Sequence, residues 1–199
     1  MGRGHAPRVS PDGELVAFNN ADVHVYDFMR DTTTRLTSDG VSDKVAWHPN
    51  GSSVLHSSNN GLYLRRADGA GEAERLIASE FYVNANSWSP DARYVAYTVT
   101  HPATSLDIWV FPLNGEPMPF LVTEAAENAA QFSPDGRYIA YPSDESGTRE
   151  IYVRPFLEGD ARWKISSAGG TGPVWSRKWR RVFLPSEIGD DGRRRFDGR

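Results

Sequence analysis

Val9-Ser10-Pro11-Asp12-Gly13, Trp47-His48-Pro49-Asn50-Gly51, Trp88-Ser89-Pro90-Asp91-Ala92 and Phe132-Ser133-Pro134-Asp135-Gly136 are one phrase written four times. Each reads apolar residue, polar residue, Pro, Asp or Asn, then Gly or a substitute. The prolines at 11, 49, 90 and 134 stand 38, 41 and 44 residues apart. A period near 40 in strand-like sequence signals small sheets stacked in series, above all a β-propeller. Function stays open, because propellers host binding, scaffolding and several catalytic chemistries.

Between the turns, alternating apolar runs predict strands at 15–18, 54–56, 94–97 and 138–141. A further strand is expected at 23–28, 62–66, 107–113 and 150–156, and a short outer one at 34–37, 74–77, 119–123 and 163–166. Pro and Gly clusters mark the turns, and no stretch sustains a 3.6-residue period. The expected fold is all-β: a propeller of about five four-stranded blades. Four are complete, and the last starts at Gly172-Pro173-Val174-Trp175-Ser176 and is incomplete. The Asp and Asn of each repeated turn are expected to bond the local backbone. Trp47, Trp88, Phe132 and Trp175 share one repeat position and are expected in the core between blades.

The repeats resemble TolB-type, WD-like β-propeller repeats of bacteria, over about residues 8–177. The stretch from Asp107 to Arg177 is most similar to the propellers that follow some bacterial serine/threonine kinase domains. The residues that carry this are Phe132-Ser-Pro-Asp-Gly-Arg-Tyr-Ile-Ala-Tyr141, Asp144-Glu-Ser-Gly147, Glu150-Ile-Tyr-Val-Arg-Pro-Phe156 and Trp163-Lys-Ile-Ser-Ser167. The resemblance implies interaction or sensing within a longer protein. No kinase motif is present: the Gly-rich loop, His-Arg-Asp and Asp-Phe-Gly are all missing. Nor is there a Gly-x-Ser-x-Gly elbow of the α/β-hydrolases that such propellers precede in prolyl peptidases.

The expected organisation is a propeller over residues 1–177 followed by an atypical tail, 178–199. After Trp175-Ser-Arg177 the family continues with something like Asp/Asn-Gly-x-Glu-Leu-Phe-Tyr. This chain runs Lys178-Trp-Arg-Arg-Val-Phe-Leu and ends in Gly192-Arg-Arg-Arg-Phe-Asp-Gly-Arg199. Reading one base later from the Lys178 codon, a permitted codon choice restores a family-like continuation beginning Asn-Gly-x-Glu-Phe-Phe-Tyr. A frame shift is one expectation for the tail, and a natural extension with solvated basic residues is the other.

Composition narrows the partners. A net charge of −4 argues against nucleic acid, which usually recruits a basic patch. No apolar run approaches a membrane span and no signal peptide opens the chain, so a cytoplasmic location is expected for the chain as written. The absence of cysteine removes disulfides, thiolate zinc ligands and thiol nucleophiles. The five histidines show no metal spacing, so neither metal nor cofactor is expected.

Two functional readings come from different classes. The first is a binding, scaffold or sensing module whose funnel face takes a protein, a small molecule or a sugar. An open blade edge would also invite pairing with another copy. The second is a small glycoside hydrolase, for example of galactosidase type, which needs two carboxyl groups about 5–10 Å apart. Asp43 and Glu127 lead into the first strands of two blades and would be that catalytic pair, facing each other across the channel. His5, Lys44, Asn84, Asn86, Asn128, Asp144 and Glu145 complete the expected substrate-binding rim, with Asn86 and Asn128 for sugar hydroxyls and His5 or Lys44 to tune the acid. Asp22, His101 and Asp107 are expected in outer loops.

Overall fold

A computed structural model describes residues 5–40, 44–58, 61–176, 181–183 and 193–195. Each repeat folds as a four-stranded antiparallel sheet whose strands follow chain order. The first holds β1 (His5–Val9), β2 (Leu15–Asn20), β3 (Asp22–Asp27) and β4 (Thr32–Arg35). The second holds β5 (Val45–Trp47), β6 (Ser53–Ser58), β7 (Gly61–Arg66) and β8 (Glu74–Ala78). The third holds β9 (Tyr82–Trp88), β10 (Tyr94–His101), β11 (Ser105–Pro112) and β12 (Met118–Leu121). The fourth holds β13 (Gln131–Phe132), β14 (Tyr138–Ser143), β15 (Glu150–Pro155) and β16 (Trp163–Lys164). A three-stranded sheet joins β17 (Val174–Trp175), β18 (Arg181–Phe183) and β19 (Arg193–Arg195), so the basic tail contributes strands. The chain divides into two compact units, residues 1–86 and 87–199.

The repeated phrase forms one turn each time. In the first sheet the Ser10 hydroxyl donates to Asp12 Oδ1 (2.6 Å) and accepts from the Leu15 N–H (2.9 Å), while Asp12 Oδ1 accepts from the Glu14 N–H (3.0 Å). Ser89 with Asp91 and Ser133 with Asp135 repeat the pattern at 2.6 Å. Gly13, Gly51 and Gly136 hold φ between 72° and 87°, the left-handed region in which glycine carries no Cβ penalty. The turn aspartates are therefore structural, and the serine bonds hold the Asp91 carboxyl below its ordinary range.

Alternation along the strands builds the cores. In the first unit Ala17, Val23 and Val25 pack with Leu36, Val45 and Val54, and Leu15 and Trp47 close the cluster. In the second unit Ile108, Val110 and Leu121 meet Phe132, Ile139 and Tyr141. A further cluster joins Ala140, Ile151 and Val153 to Val182 of β18. Burying each Val, Leu, Ile or Phe side chain among them contributes about 1.5–3 kcal/mol. The repeated aromatic position is buried at Trp88 and Phe132 and half-buried at Trp47 and Trp175. Trp47 donates its indole N–H to the Arg8 carbonyl (2.8 Å) and Trp175 to the Gln131 carbonyl (2.9 Å). Phe132 has no such donor. There the Ser87 hydroxyl takes over, donating to the Ala130 carbonyl (3.0 Å) and accepting from the Phe132 N–H (3.1 Å).

At the far end of the sheets a second repeated device appears. Asp22 opens β3 and accepts from the Thr37 hydroxyl (3.2 Å), the Gly40 N–H (3.0 Å) and the Arg35 guanidinium. Thr37 in turn accepts from the Val23 N–H (3.0 Å). Glu150 opens β15 in the same way, taking the Ser166 hydroxyl and the Gly169 N–H (3.2 Å) while Ser166 accepts from the Ile151 N–H (2.7 Å). These clasps tie the start of the third strand to the segment leaving the fourth. Asp22 is thus a buried strand residue, not an outer-loop residue, and Asp107 is buried in β11, as the expected strand at 107–113 has it rather than the outer loop. His101 also moves from its expected loop into β10, because the β10–β11 ladder runs the full eight residues from Tyr94 to His101.

Candidate functional site

In the second unit the segment between β12 and β13 folds against the far ends of β11 and β14. The Glu127 N–H donates to the Leu106 carbonyl (2.7 Å), which places its side chain beside the start of β11. Glu127 Oε1 accepts from the Thr123 hydroxyl (2.8 Å) and the Ser143 hydroxyl (3.2 Å). Its exposure is 0%, and Oε2 is buried with no hydrogen-bond donor among the described residues. Burial pushes the Glu127 carboxyl above its ordinary range, with the Asp107 and Glu145 carboxylates adding to the rise. Asp107 is nearly as enclosed: Oδ2 accepts from the Thr104 hydroxyl (2.5 Å), and Oδ1 is buried without a donor among the described residues.

Three further residues from the expected rim gather around this point. Asp144 Oδ1 accepts from the Ala126 N–H (2.8 Å), so the β14–β15 loop grips the residue before Glu127. Asn128 Oδ1 accepts from the Arg149 guanidinium. Glu145 forms an ion pair with Arg162, whose guanidinium lies 5.5 Å from the centre of the Tyr152 ring. The sequence thus brings Glu127, Asn128, Asp144 and Glu145 into one cluster. Glu127 does not stand on an open rim, however; its carboxyl is enclosed.

The remaining expected residues lie in the first unit or outside the described residues. Asp43 is outside them, so the Asp43–Glu127 pair has no measured separation. His5 opens β1 opposite Asn19. Lys44 is half-buried ahead of β5, and its carbonyl accepts from the Ser57 N–H (3.3 Å). Asn84 and Asn86 sit in β9, Asn86 buried and Asn84 half-buried. Thr123, Ser143 and Thr104, which hold the two buried carboxylates, were not legible as site residues because hydroxyls carry no spacing signature. Among the described residues no group of three or more His, Asp or Glu side chains is arranged to hold a metal ion. Among the described residues no helix is long and apolar enough to cross a membrane.

No known family profile matches the chain. Among solved structures, a protein described as TolB from Agrobacterium tumefaciens aligns with a TM-score of 0.82 at 20% identity, over 95% of this chain and 73% of its own. TolB from Acinetobacter baumannii aligns at 0.67 and 17% identity, over 94% of this chain and 48% of its own. The β-propeller domain of Cps50 (Swd1) from Myceliophteria thermophila aligns at 0.69 and 12%, over 96% and 67%. These likenesses show the β-propeller fold. At such identities the shared property is the fold alone.

Proposed function

We propose that the chain is a propeller-type binding or scaffold module. The observation that carries this reading is the state of the carboxylates: Glu127 is enclosed and bonded to Thr123 and Ser143, Asp144 holds a backbone N–H, and Glu145 is paired with Arg162. A carboxyl group committed to local bonds serves the scaffold better than it serves a substrate. The partner is a protein, small molecule or sugar rather than nucleic acid, in keeping with the acidic net charge. The module belongs to a longer TolB-like or kinase-linked protein. The repeat phrases from Asp107 onward and the partial coverage of both TolB chains support this. Pairing with another copy fits the apolar hollow of about 340 Å³ on the first sheet, lined by Val16, Phe18 and Phe28, and sedimentation at increasing concentration tests it.

The second reading, a glycoside hydrolase, keeps one point in its favour: a carboxyl raised by burial is what a general acid needs. A panel of chromogenic glycosides, galactosides included, separates the two. The expected result is no turnover. Hydrolysis that disappears in Glu127→Gln would establish the enzyme and overturn the binding-module reading.

A further inference from the structure

The second turn of the repeat departs from the other three in one residue, and the departure changes its chemistry. Asp12, Asp91 and Asp135 hold the fourth place of the phrase, whereas the second turn has Asn50 followed by Gly51. An asparagine before glycine is open to deamidation, because no side chain keeps the next backbone nitrogen away from the Asn carboxamide carbon. The same pair recurs at Asn114-Gly115 in the β11–β12 turn, and at Asn60-Gly61, where Asn60 lies outside the described residues.

The fold treats the two described asparagines differently. Asn50 is exposed, and its Oδ1 accepts three hydrogen bonds: from His48 Nδ1 (2.6 Å), the Ser52 N–H (3.0 Å) and the Ser52 hydroxyl (2.8 Å). The Ser52 N–H can only donate, which fixes the accepting atom as the carbonyl oxygen, and His48 therefore meets it with a protonated Nδ1. The Asn50 N–H lies farther from that nitrogen, at 3.3 Å. In the first, third and fourth turns an aspartate Oδ1 occupies the same place, with a serine hydroxyl at 2.6 Å and a backbone N–H at 3.0–3.1 Å. Asn114 is also exposed, but among the described residues its side chain has no hydrogen-bond partner. The following nitrogens are held alike: Gly51 N–H donates to the His48 carbonyl (2.9 Å) and Gly115 N–H to the Pro112 carbonyl (3.0 Å). Release of that nitrogen is a shared requirement, so the difference lies in the grip on the amide oxygen.

We propose that Asn50 is a self-modification site, where the folded turn promotes deamidation to the carboxylate that the other three turns carry. The Gly51 nitrogen gives up its proton to hydroxide and bonds the Asn50 Cγ. Negative charge collects on Oδ1, at which His48 and Ser52 already aim three donors, the arrangement that stabilises a tetrahedral oxyanion. The Cγ–Nδ2 bond then breaks, and Nδ2 takes a proton from water and leaves as ammonia. Water adds to the resulting five-membered imide and opens it. Opening at Cγ leaves aspartate, and opening at the backbone carbonyl leaves isoaspartate. Either product adds one negative charge to the turn. Aspartate meets the donors that already stand around Oδ1, as Asp12 does in the first turn. The site does not depend on the binding-module reading.

The experiment holds the full chain in mildly alkaline native buffer and follows Asn50 and Asn114 over time by peptide mass mapping, with Asn114 as the internal control. In the folded protein Asn50 is expected to convert about fivefold or more faster than Asn114, a fraction of the roughly 10²–10³ that one oxyanion donor gives in a water-excluded active site. In concentrated urea both pairs lose their surroundings, and the two rates should converge. Ser52→Ala removes one donor and His48→Ala another; each should slow Asn50 several-fold and leave Asn114 unchanged. Ser52→Ala takes only a hydroxyl from an exposed turn, so it keeps the test open should His48→Ala fail to fold. A turn that merely shelters Asn50 gives other results: Asn50 no faster than Asn114 in the folded chain, a rate that rises in urea relative to Asn114, or conversion that is no slower once a donor is removed. Any one of these overturns the assignment.

Discussion

Both units use the same bond near the end of a second strand, with opposite surroundings. In the first unit the Ser58 hydroxyl donates to Asp39 Oδ2 (2.7 Å), on the segment arriving from the preceding sheet. In the second, the Ser143 hydroxyl donates to Glu127 Oε1 (3.2 Å), on the equivalent segment. Asp39 is exposed, whereas Glu127 is fully enclosed. At the surface water solvates the carboxylate, and the bond is a weak latch. Enclosed, the same bond must hold a carboxyl whose charged form is penalised. Burial thus turns a repeat detail into a cluster where protonation and structure are coupled.

The units differ again at the first residue of the third strand, and this gives the largest expected effect. The second unit has Asp107 near the start of β11 and Glu150 at the start of β15. The first unit has Asp22 in β3 but Gly61 in β7. Gly61 holds φ 151°, and a Cβ there would lie 1.9 Å from the Ile77 carbonyl oxygen. That oxygen is backbone of the adjoining β8 and cannot move aside alone. Gly61→Ala should therefore cost about 3 kcal/mol or more, read as a lower urea midpoint of the full chain. A change within error would show that β7 and β8 separate easily and that the second sheet is not a fixed frame.

Next in size is the direct contrast of the two latches. Glu127→Ala strands the Thr123 and Ser143 hydroxyls in a buried space and should cost about 1–3 kcal/mol. Asp39→Ala removes a surface acceptor and should cost less than about 1 kcal/mol. Chemical denaturation of both variants measures the difference. Equal losses would erase the distinction drawn from burial.

The repeat phrase carried most of the fold into view. Strand–turn–strand order, the serine–aspartate turns and the aromatic position all follow from period and alternation, which are local properties. The Glu127 cluster followed only in part. Asp144, Glu145 and Asn128 were legible as loop residues entering the same end of neighbouring repeats. The enclosure of Glu127 was not legible, because it depends on Thr123 and Ser143, residues 4 and 16 positions away, whose hydroxyls are anonymous in sequence. Asp22 lies in β3, not in the outer loop expected for it: a carboxylate normally marks solvent, and the hydroxyl of its clasp partner Thr37 makes the burial tolerable, as the Thr104 hydroxyl does for Asp107.

The smallest effects are in pH dependence, where the two ends of the second unit should act in opposite directions. The Glu127 carboxyl is raised in the folded state by burial, so its contribution to stability is present at acid pH and is lost as pH climbs from the unfolded value through the folded one. The Asp91 carboxyl is lowered by the Ser89 hydroxyl, so its contribution is present above the unfolded value and is lost as pH falls through the folded one. Asp91 is largely exposed, and solvent screening should keep its part below about 1 kcal/mol. Thermal unfolding of the wild type, Glu127→Gln and Asp91→Asn across about pH 3–8 resolves the two. Glu127→Gln should flatten the decline above the ordinary carboxylate range and leave the acid limb intact. Asp91→Asn should soften the acid limb alone. If Glu127→Gln instead reproduces the wild-type profile at every pH, burial does not raise the Glu127 carboxyl, and the coupling drawn from its enclosure fails.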